Sequence, residues 1–173
     1  MSEPVVLLAW ELGQGLGHIV PAKRLAAELT RRGMRCVLAV SSLVAAREIG
    51  LEGIDVLQGP RWPMQAGELK AKLDYVPATA GEFLADAIFS DVEATAHQIE
   101  GWRALAREVR PDIVAADYAP GAHLAFGGRI PVVAYGVGYC VPPAHLPEFP
   151  RLGSLVRPLR ESEESLLARI NEA

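Results

Sequence analysis

The sequence predicts an α/β fold in which helices cover both faces of a parallel sheet. Short apolar runs of strand length alternate along the chain with amphipathic stretches of helical spacing. The runs lack the alternation of a half-exposed strand, which indicates strands that are buried on both faces. A glycine-rich turn over 13–17 connects the first apolar run to the first amphipathic stretch. Together these features predict βαβ units in a doubly wound sheet with a strand order of about 3-2-1-4-5.

The first half of the chain supplies three strands of this Rossmann-like sheet. The apolar run over 4–10 predicts the first strand, and Gly33 ends the helix that follows the glycine-rich turn. The next predicted elements are a strand over 36–40, a short helix over 43–49 and a strand over 54–57. Residues 64–78 have mixed polarity without a clear period, so they receive no secondary structure and are expected to be mobile or to face a ligand.

The second half continues the same alternation. A helical stretch over 79–110 is expected to break at Ser90-Asp91, because an aspartate ahead of a helix caps its free N–H groups. Beyond this stretch we expect a strand over 113–116 followed by Asp117, a helix over 120–126, a strand over 131–135, a loop rich in proline and glycine to residue 158, and a last helix over 161–173.

Two polar side chains are expected to meet at the carboxyl edge of this sheet. His18 lies in the first turn of the first helix, and Asp117 follows the fourth strand. In the predicted order the first and fourth strands are neighbours, and open α/β sheets bind ligands at this point. A carboxylate on one ring nitrogen would leave the other free to take a proton from a hydroxyl. The alternative interpretation is that His18 only caps the helix or packs beneath the loop.

The glycine-rich turn could also belong to a dinucleotide site, but two parts of that fingerprint are missing. His18 stands where the third glycine is needed for close packing of helix and strand. The second strand runs into Ser41-Ser42 and has no acid that could bind a ribose hydroxyl. A dinucleotide-binding domain is therefore the least favoured alternative.

Two segments of the sequence resemble a known family. GHIVPA over 17–22, with the helix and strand that follow it, is similar to the amino-terminal signature of nucleotide-sugar glycosyltransferases of the GT-B fold. PDIVAAD over 111–117 is similar to the fourth-strand segment of the same proteins. The likeness extends to the macrolide and flavonoid glycosyltransferases and to the peptidoglycan N-acetylglucosaminyltransferase. It covers the chain from Pro4 to about Tyr135.

The resemblance implies roles for individual residues. Likeness to the small-molecule glycosyltransferases would make His18 the base that deprotonates the acceptor hydroxyl, and Asp117 the carboxylate that orients the His18 ring. Likeness to the peptidoglycan enzyme would instead place the glycine loop against an acceptor phosphate. A small apolar hydroxylated acceptor would lie against a set of glycine, aromatic and aliphatic residues: Trp10, Leu12, Gly15, Gly17, Trp62, Phe83 and Tyr139.

The resemblance also implies an incomplete enzyme. A GT-B enzyme has two such domains and the second one holds the nucleotide-sugar, whereas 173 residues have room for one. We expect an acceptor domain over 1–158 and a terminal helix over 159–173 that leads toward a missing donor domain for a UDP-sugar or a thymidine diphospho-sugar. The expected function is the acceptor-binding half of an inverting glycosyltransferase, inactive alone. The alternative is a non-catalytic binding subunit of a split glycosyltransferase.

Composition excludes several other classes. The formal net charge of −4 argues against a nucleic-acid partner, and no apolar run is long enough to cross a bilayer. The first residues do not form a basic secretory start, so we expect a cytoplasmic location. The two cysteines, Cys36 and Cys140, are expected to be free thiols, and no metal or cofactor is expected. An apolar surface left bare at the cleft could favour a homo-oligomer.

Overall fold

A computed structural model describes residues 3–13, 16–51, 53–63, 73–137, 141, 145–146, 148–151 and 158–172. Its centre is a five-stranded sheet in the order β3-β2-β1-β4-β5, and all neighbouring strands are parallel. The strands are β1 (Val5–Trp10), β2 (Arg35–Val40), β3 (Asp55–Gln58), β4 (Ile113–Asp117) and β5 (Val132–Tyr135). The predicted fold class and strand order are confirmed.

Six α-helices are formed by the described residues. They are α1 (Leu16–Arg31), α2 (Leu43–Glu48), α3 (Ala80–Phe83), α4 (Val92–Val109), α5 (Pro120–Phe126) and α6 (Glu163–Glu172). A π-helical turn, Leu84–Ile88, continues α3. The predicted break in the long helical stretch is present, because the Asp91 side chain accepts a hydrogen bond from the Ala94 N–H at 2.9 Å and caps α4.

The three central strands, β1, β2 and β4, are buried on both faces, whereas the edge strands β3 and β5 are largely half-buried or exposed. Side chains along each central strand point alternately to opposite sides and pack against helices there. On one face Leu7, Val37 and Val114 pack with Trp102 of α4 and Phe126 of α5. The other face packs against α1 and α2 through a set of apolar side chains: Val6, Leu8, Trp10, Leu38, Val40, Ile19, Ala22, Ala26 and Ala46. The absence of alternation in the sequence therefore reflects helices on both sides.

The terminal helix α6 packs back onto the segment around α3. Leu166 is almost fully buried, and Arg169 donates a hydrogen bond to the Asp86 carboxylate at 2.6 Å. Ser162 accepts a hydrogen bond from the Ser165 N–H at 3.2 Å, as expected for a helix cap. Among the described residues, no helix is long and apolar enough to cross a membrane. Cys36 is a buried free thiol, and Cys140 lies outside the described residues.

Candidate active site

The carboxyl ends of β1 and β4 bring a histidine and an aspartate together. Trp10, the last residue of β1, is directly opposite Asp117, the last residue of β4. The glycine-rich turn after β1 leads into α1, so His18 in the first turn of α1 lies over the same edge of the sheet. Its Nδ1 is 3.0 Å from Oδ2 of Asp117, although 99 residues separate the two in sequence. The expected proximity of these two side chains is therefore present.

The bond to Asp117 selects the tautomer of the His18 ring. A carboxylate only accepts hydrogen bonds, so Nδ1 carries a proton, and in the neutral form of the ring Nε2 is the nitrogen that has the lone pair. The Asp117 side chain is 4% exposed and the His18 side chain 18% exposed, so the carboxylate is buried behind a ring that solvent can reach. This arrangement can accept a proton at Nε2.

Two aromatic rings hold the imidazole in place. The ring of Trp10 is stacked on His18 with centroids 5.6 Å apart, and that of Tyr118 with centroids 6.1 Å apart. The Trp10 indole is itself fixed, since its N–H donates to the Leu12 carbonyl at 2.6 Å. The ring therefore has little freedom to rotate away from Asp117.

Gly13 leaves the space that the imidazole occupies. Its φ is +89°, in the left-handed region that favours glycine. A Cβ at this position would lie 2.2 Å from Nε2 of His18, far closer than two such atoms can approach. At Gly17 a Cβ would meet nothing within 4 Å, and Gly15 lies outside the described residues. Of the two glycines in this turn that the structure describes, Gly13 is the one that the geometry requires.

A cavity of about 300 Å³ is lined in part by Tyr118, the residue after Asp117. Its walls are almost entirely apolar and come from α3, α5 and the carboxyl edge of the sheet. The described lining residues are Ala80, Phe83, Leu84, Phe89, Tyr118, Ala119, Pro120, His123, Leu124, Ala134, Val141 and Phe149. Tyr118 belongs both to this lining and to the ring stack on His18, so the cavity and the histidine adjoin.

The fold of this chain also occurs in proteins of known structure. No family model matches the sequence, and no curated protein matches it significantly. Among solved structures, glycosyltransferase SnogD from Streptomyces nogalater is 22% identical with a TM-score of 0.53, over 78% of this chain and 33% of that one. The chain has the fold of a GT-B glycosyltransferase domain.

Two further solved structures share this fold. Phytolacca americana UGT2, complexed with UDP-2fluoro-glucose and pterostilbene, is 18% identical with a TM-score of 0.50, over 79% of this chain and 31% of that one. Streptomyces sp. SF2575 glycosyltransferase SsfS6, complexed with thymidine diphosphate, is 16% identical with a TM-score of 0.53, over 78% of this chain and 38% of that one. The chain spans about a third of the length of these glycosyltransferases.

The residues expected to contact an acceptor occupy different positions in this GT-B domain. Phe83 lines the cavity. Leu12 and Trp62 are not among its lining residues; they are 2% and 6% exposed and pack behind it in a cluster with Phe83. Tyr139 lies outside the described residues. His123 lines the cavity with one side in solvent, and partial burial lowers its pKa, which favours the neutral ring.

Two residues of the site were missed by the sequence analysis. Tyr118 adopts a φ of +46°, a strained conformation for a non-glycine residue, and no sequence pattern signals it. Glu11 is buried beneath the cavity wall, where it accepts hydrogen bonds from residues far away in the sequence. An acid directly after a buried strand was the one available signal for Glu11.

Proposed function

We propose that this chain is the acceptor-binding half of an inverting glycosyltransferase that uses a nucleotide-sugar. The observation that carries the proposal is the 3.0 Å contact between His18 Nδ1 and Asp117 Oδ2 beside an apolar cavity. A histidine oriented by a buried carboxylate is the arrangement that proton abstraction from a hydroxyl requires.

In the proposed reaction His18 acts as the general base. Its Nε2 takes the proton of an acceptor hydroxyl while the hydroxyl oxygen forms a bond to the anomeric carbon of the sugar. The bond from that carbon to the nucleotide diphosphate breaks at the same time, on the opposite side, so the configuration inverts. Asp117 holds the ring in the productive tautomer and stabilises the imidazolium that forms.

The acceptor proposed for this site is a small, flat, hydroxylated aromatic molecule. The cavity offers four aromatic side chains, namely Phe83, Phe89, Tyr118 and Phe149. Such rings contribute large apolar contact area and stack on flat ligands. Pterostilbene, with which the Phytolacca enzyme is complexed, is consistent with this chemistry.

The donor is proposed to bind to a second domain. The chain spans about a third of the glycosyltransferases that share its fold, one of which is complexed with thymidine diphosphate. We therefore expect this chain alone to bind the acceptor and not the nucleotide-sugar.

Titration calorimetry on the 173-residue chain tests the proposal. We expect saturable binding of 3-hydroxyflavone and none of UDP-glucose or TDP-glucose. Leu124→Ala, in the cavity wall, should weaken flavone binding about tenfold, since a leucine side chain contributes roughly 1.5 kcal/mol or more of apolar burial. The matched control is Leu167→Ala, because Leu167 is an exposed leucine on α6. Micromolar binding of a nucleotide-sugar would refute the assignment and point to a nucleotide site at Gly13 to His18.

A further inference from the structure

Glu11 is a buried carboxylate that the proposed reaction does not use. It follows β1 directly and is 6% exposed. Its oxygens accept four hydrogen bonds: from the indole N–H groups of Trp62 and Trp102, and from the backbone N–H groups of Gly121 and Ala122. The donors lie between 51 and 111 residues away in the sequence. One side chain therefore joins three separate segments to the end of β1.

One of these segments supports the aromatic wall of the cavity. Trp62 donates to Glu11 Oε2 at 3.2 Å. Its ring meets Phe89 edge-on with centroids 5.9 Å apart, and both belong to the same buried cluster as Phe83. Because Phe83 and Phe89 line the cavity and pack with Trp62, the position of Trp62 determines the position of these two rings.

A second part of the cavity wall is attached to the same carboxylate. The N–H groups of Gly121 and Ala122 donate to Oε2 and Oε1 at 2.9 and 2.8 Å. These residues form the first turn of α5, which also carries the lining residues Pro120, His123 and Leu124. A shift of the carboxylate would therefore move this helix relative to the Trp62 side.

The local packing requires two acceptor oxygens at Glu11 and leaves no room for adjustment. All four partners are donors, and none of them carries a charge. An amide would turn its NH₂ group toward one of these donors and leave it unsatisfied. A Cβ at Gly121 would lie 2.6 Å from Oε1, so glycine is needed for the carboxylate to reach the start of α5.

We propose that Glu11 is a positioning residue that fixes the two walls of the acceptor cavity relative to each other. It touches no substrate in this proposal and acts through Trp62 and the first turn of α5. The inference rests on the proposed function, because it assigns Glu11 to the geometry of the acceptor site.

Two variants and one control test this role in the 173-residue chain. Glu11→Gln removes one acceptor oxygen, and Gly121→Ala pushes on the carboxylate from α5. Glu100→Gln is the control, since it removes the same charge from an exposed glutamate on α4 that pairs with Arg107. The readouts are ¹H–¹⁵N NMR spectra and the Kd for 3-hydroxyflavone, both at a temperature where all variants are folded.

The expected result is that both variants move the amide signals of Phe89, His123 and Leu124, none of which bonds to Glu11. Their flavone affinity should fall at least about tenfold, on the scale of one lost hydrogen bond to a charged group. The control should behave like the wild type.

The proposal is overturned if the changes remain confined to Gly121, Ala122 and the two indoles, with unchanged flavone affinity, because Glu11 would then only stabilise the fold. If the wild-type chain binds no flavone, the acceptor assignment fails, yet the amide signals still decide whether Glu11 couples the two walls.

Discussion

Replacement of Gly13 by alanine should displace His18 from its partner. A Cβ at residue 13 would lie 2.2 Å from Nε2, whereas ordinary contacts begin at about 3.4 Å. The ring must therefore move by about 1 Å, which is enough to disrupt the 3.0 Å hydrogen bond between its Nδ1 and Asp117 Oδ2. The positive φ of residue 13 adds a cost of about 1–2 kcal/mol to the folded state.

The chain offers a matched control for this variant. Gly33 has a φ of +80°, close to the +89° of Gly13, but a Cβ there would meet nothing within 4 Å. Gly33→Ala should therefore cost about the same 1–2 kcal/mol of stability without touching the site. The difference between the two variants isolates the contact with His18.

Two measurements separate the effects. Urea unfolding should show a loss of about 1–2 kcal/mol for Gly33→Ala and a larger loss for Gly13→Ala, because only Gly13→Ala also disturbs the hydrogen bond between His18 and Asp117. NMR contacts between the stacked rings of His18 and Trp10 should disappear only in Gly13→Ala. In an active enzyme that carries this domain, Gly13→Ala should lower kcat by about 10²–10⁴-fold, the range for a lost general base, and Gly33→Ala should not. Retained ring contacts and a normal rate in Gly13→Ala would refute the reasoning.

Three further predictions concern the base, the buried acid and a helix cap. His18→Ala should lower kcat by about 10²–10⁴-fold and leave Tm nearly unchanged, whereas a normal rate with a lowered Tm would support a capping role. Burial raises the pKa of Glu11 from 4.5 to about 7, although its hydrogen bonds act in the opposite direction. Glu11 therefore contributes to the stability of the folded state, and this contribution is fully present below pH 4.5 and is lost as the pH rises through 7. At about 1.36 kcal/mol per pH unit, the loss is about 3 kcal/mol, and urea unfolding at pH 5 and pH 8 should show it in the wild type but not in Glu11→Gln. Asp91→Ala should cost about 1 kcal/mol through the lost cap of α4, and an unchanged unfolding midpoint would contradict that role.

The parts of the site that depend on topology were predictable from sequence. Apolar runs give the strands, the glycine turn gives the switch from strand to helix, and parallel strands place their carboxyl ends at one edge. These rules are enough to bring His18 and Asp117 together, because Asp117 ends β4 and His18 lies in the first turn of the helix that follows the neighbouring strand β1. The fold therefore brings the two side chains together, and their being a histidine and an aspartate makes proton transfer possible.

The parts that depend on packing between distant segments were not predictable. Trp62 was expected to contact an acceptor, but its indole N–H donates a hydrogen bond to Glu11 inside the protein. Nothing local to either residue indicates that pairing, which joins positions 51 residues apart. The cavity likewise forms where α3, its π-helical turn and α5 pack together. The spacing of apolar residues in the sequence does not indicate which helices pack against each other.

Tyr118 connects the proton acceptor with the binding cavity. Its left-handed φ of +46° costs about 1–2 kcal/mol, and such strain persists only where the surroundings hold it in place. Here its carbonyl accepts a hydrogen bond from the Leu12 N–H at 3.0 Å, and its ring is stacked on His18 and also lines the cavity. Leu12, whose N–H holds the Tyr118 backbone, directly follows Glu11, which bonds to both walls of the cavity. A ligand that pressed on Tyr118 would therefore act on His18 through one ring, while Glu11 and Leu12 keep the backbone beneath it fixed.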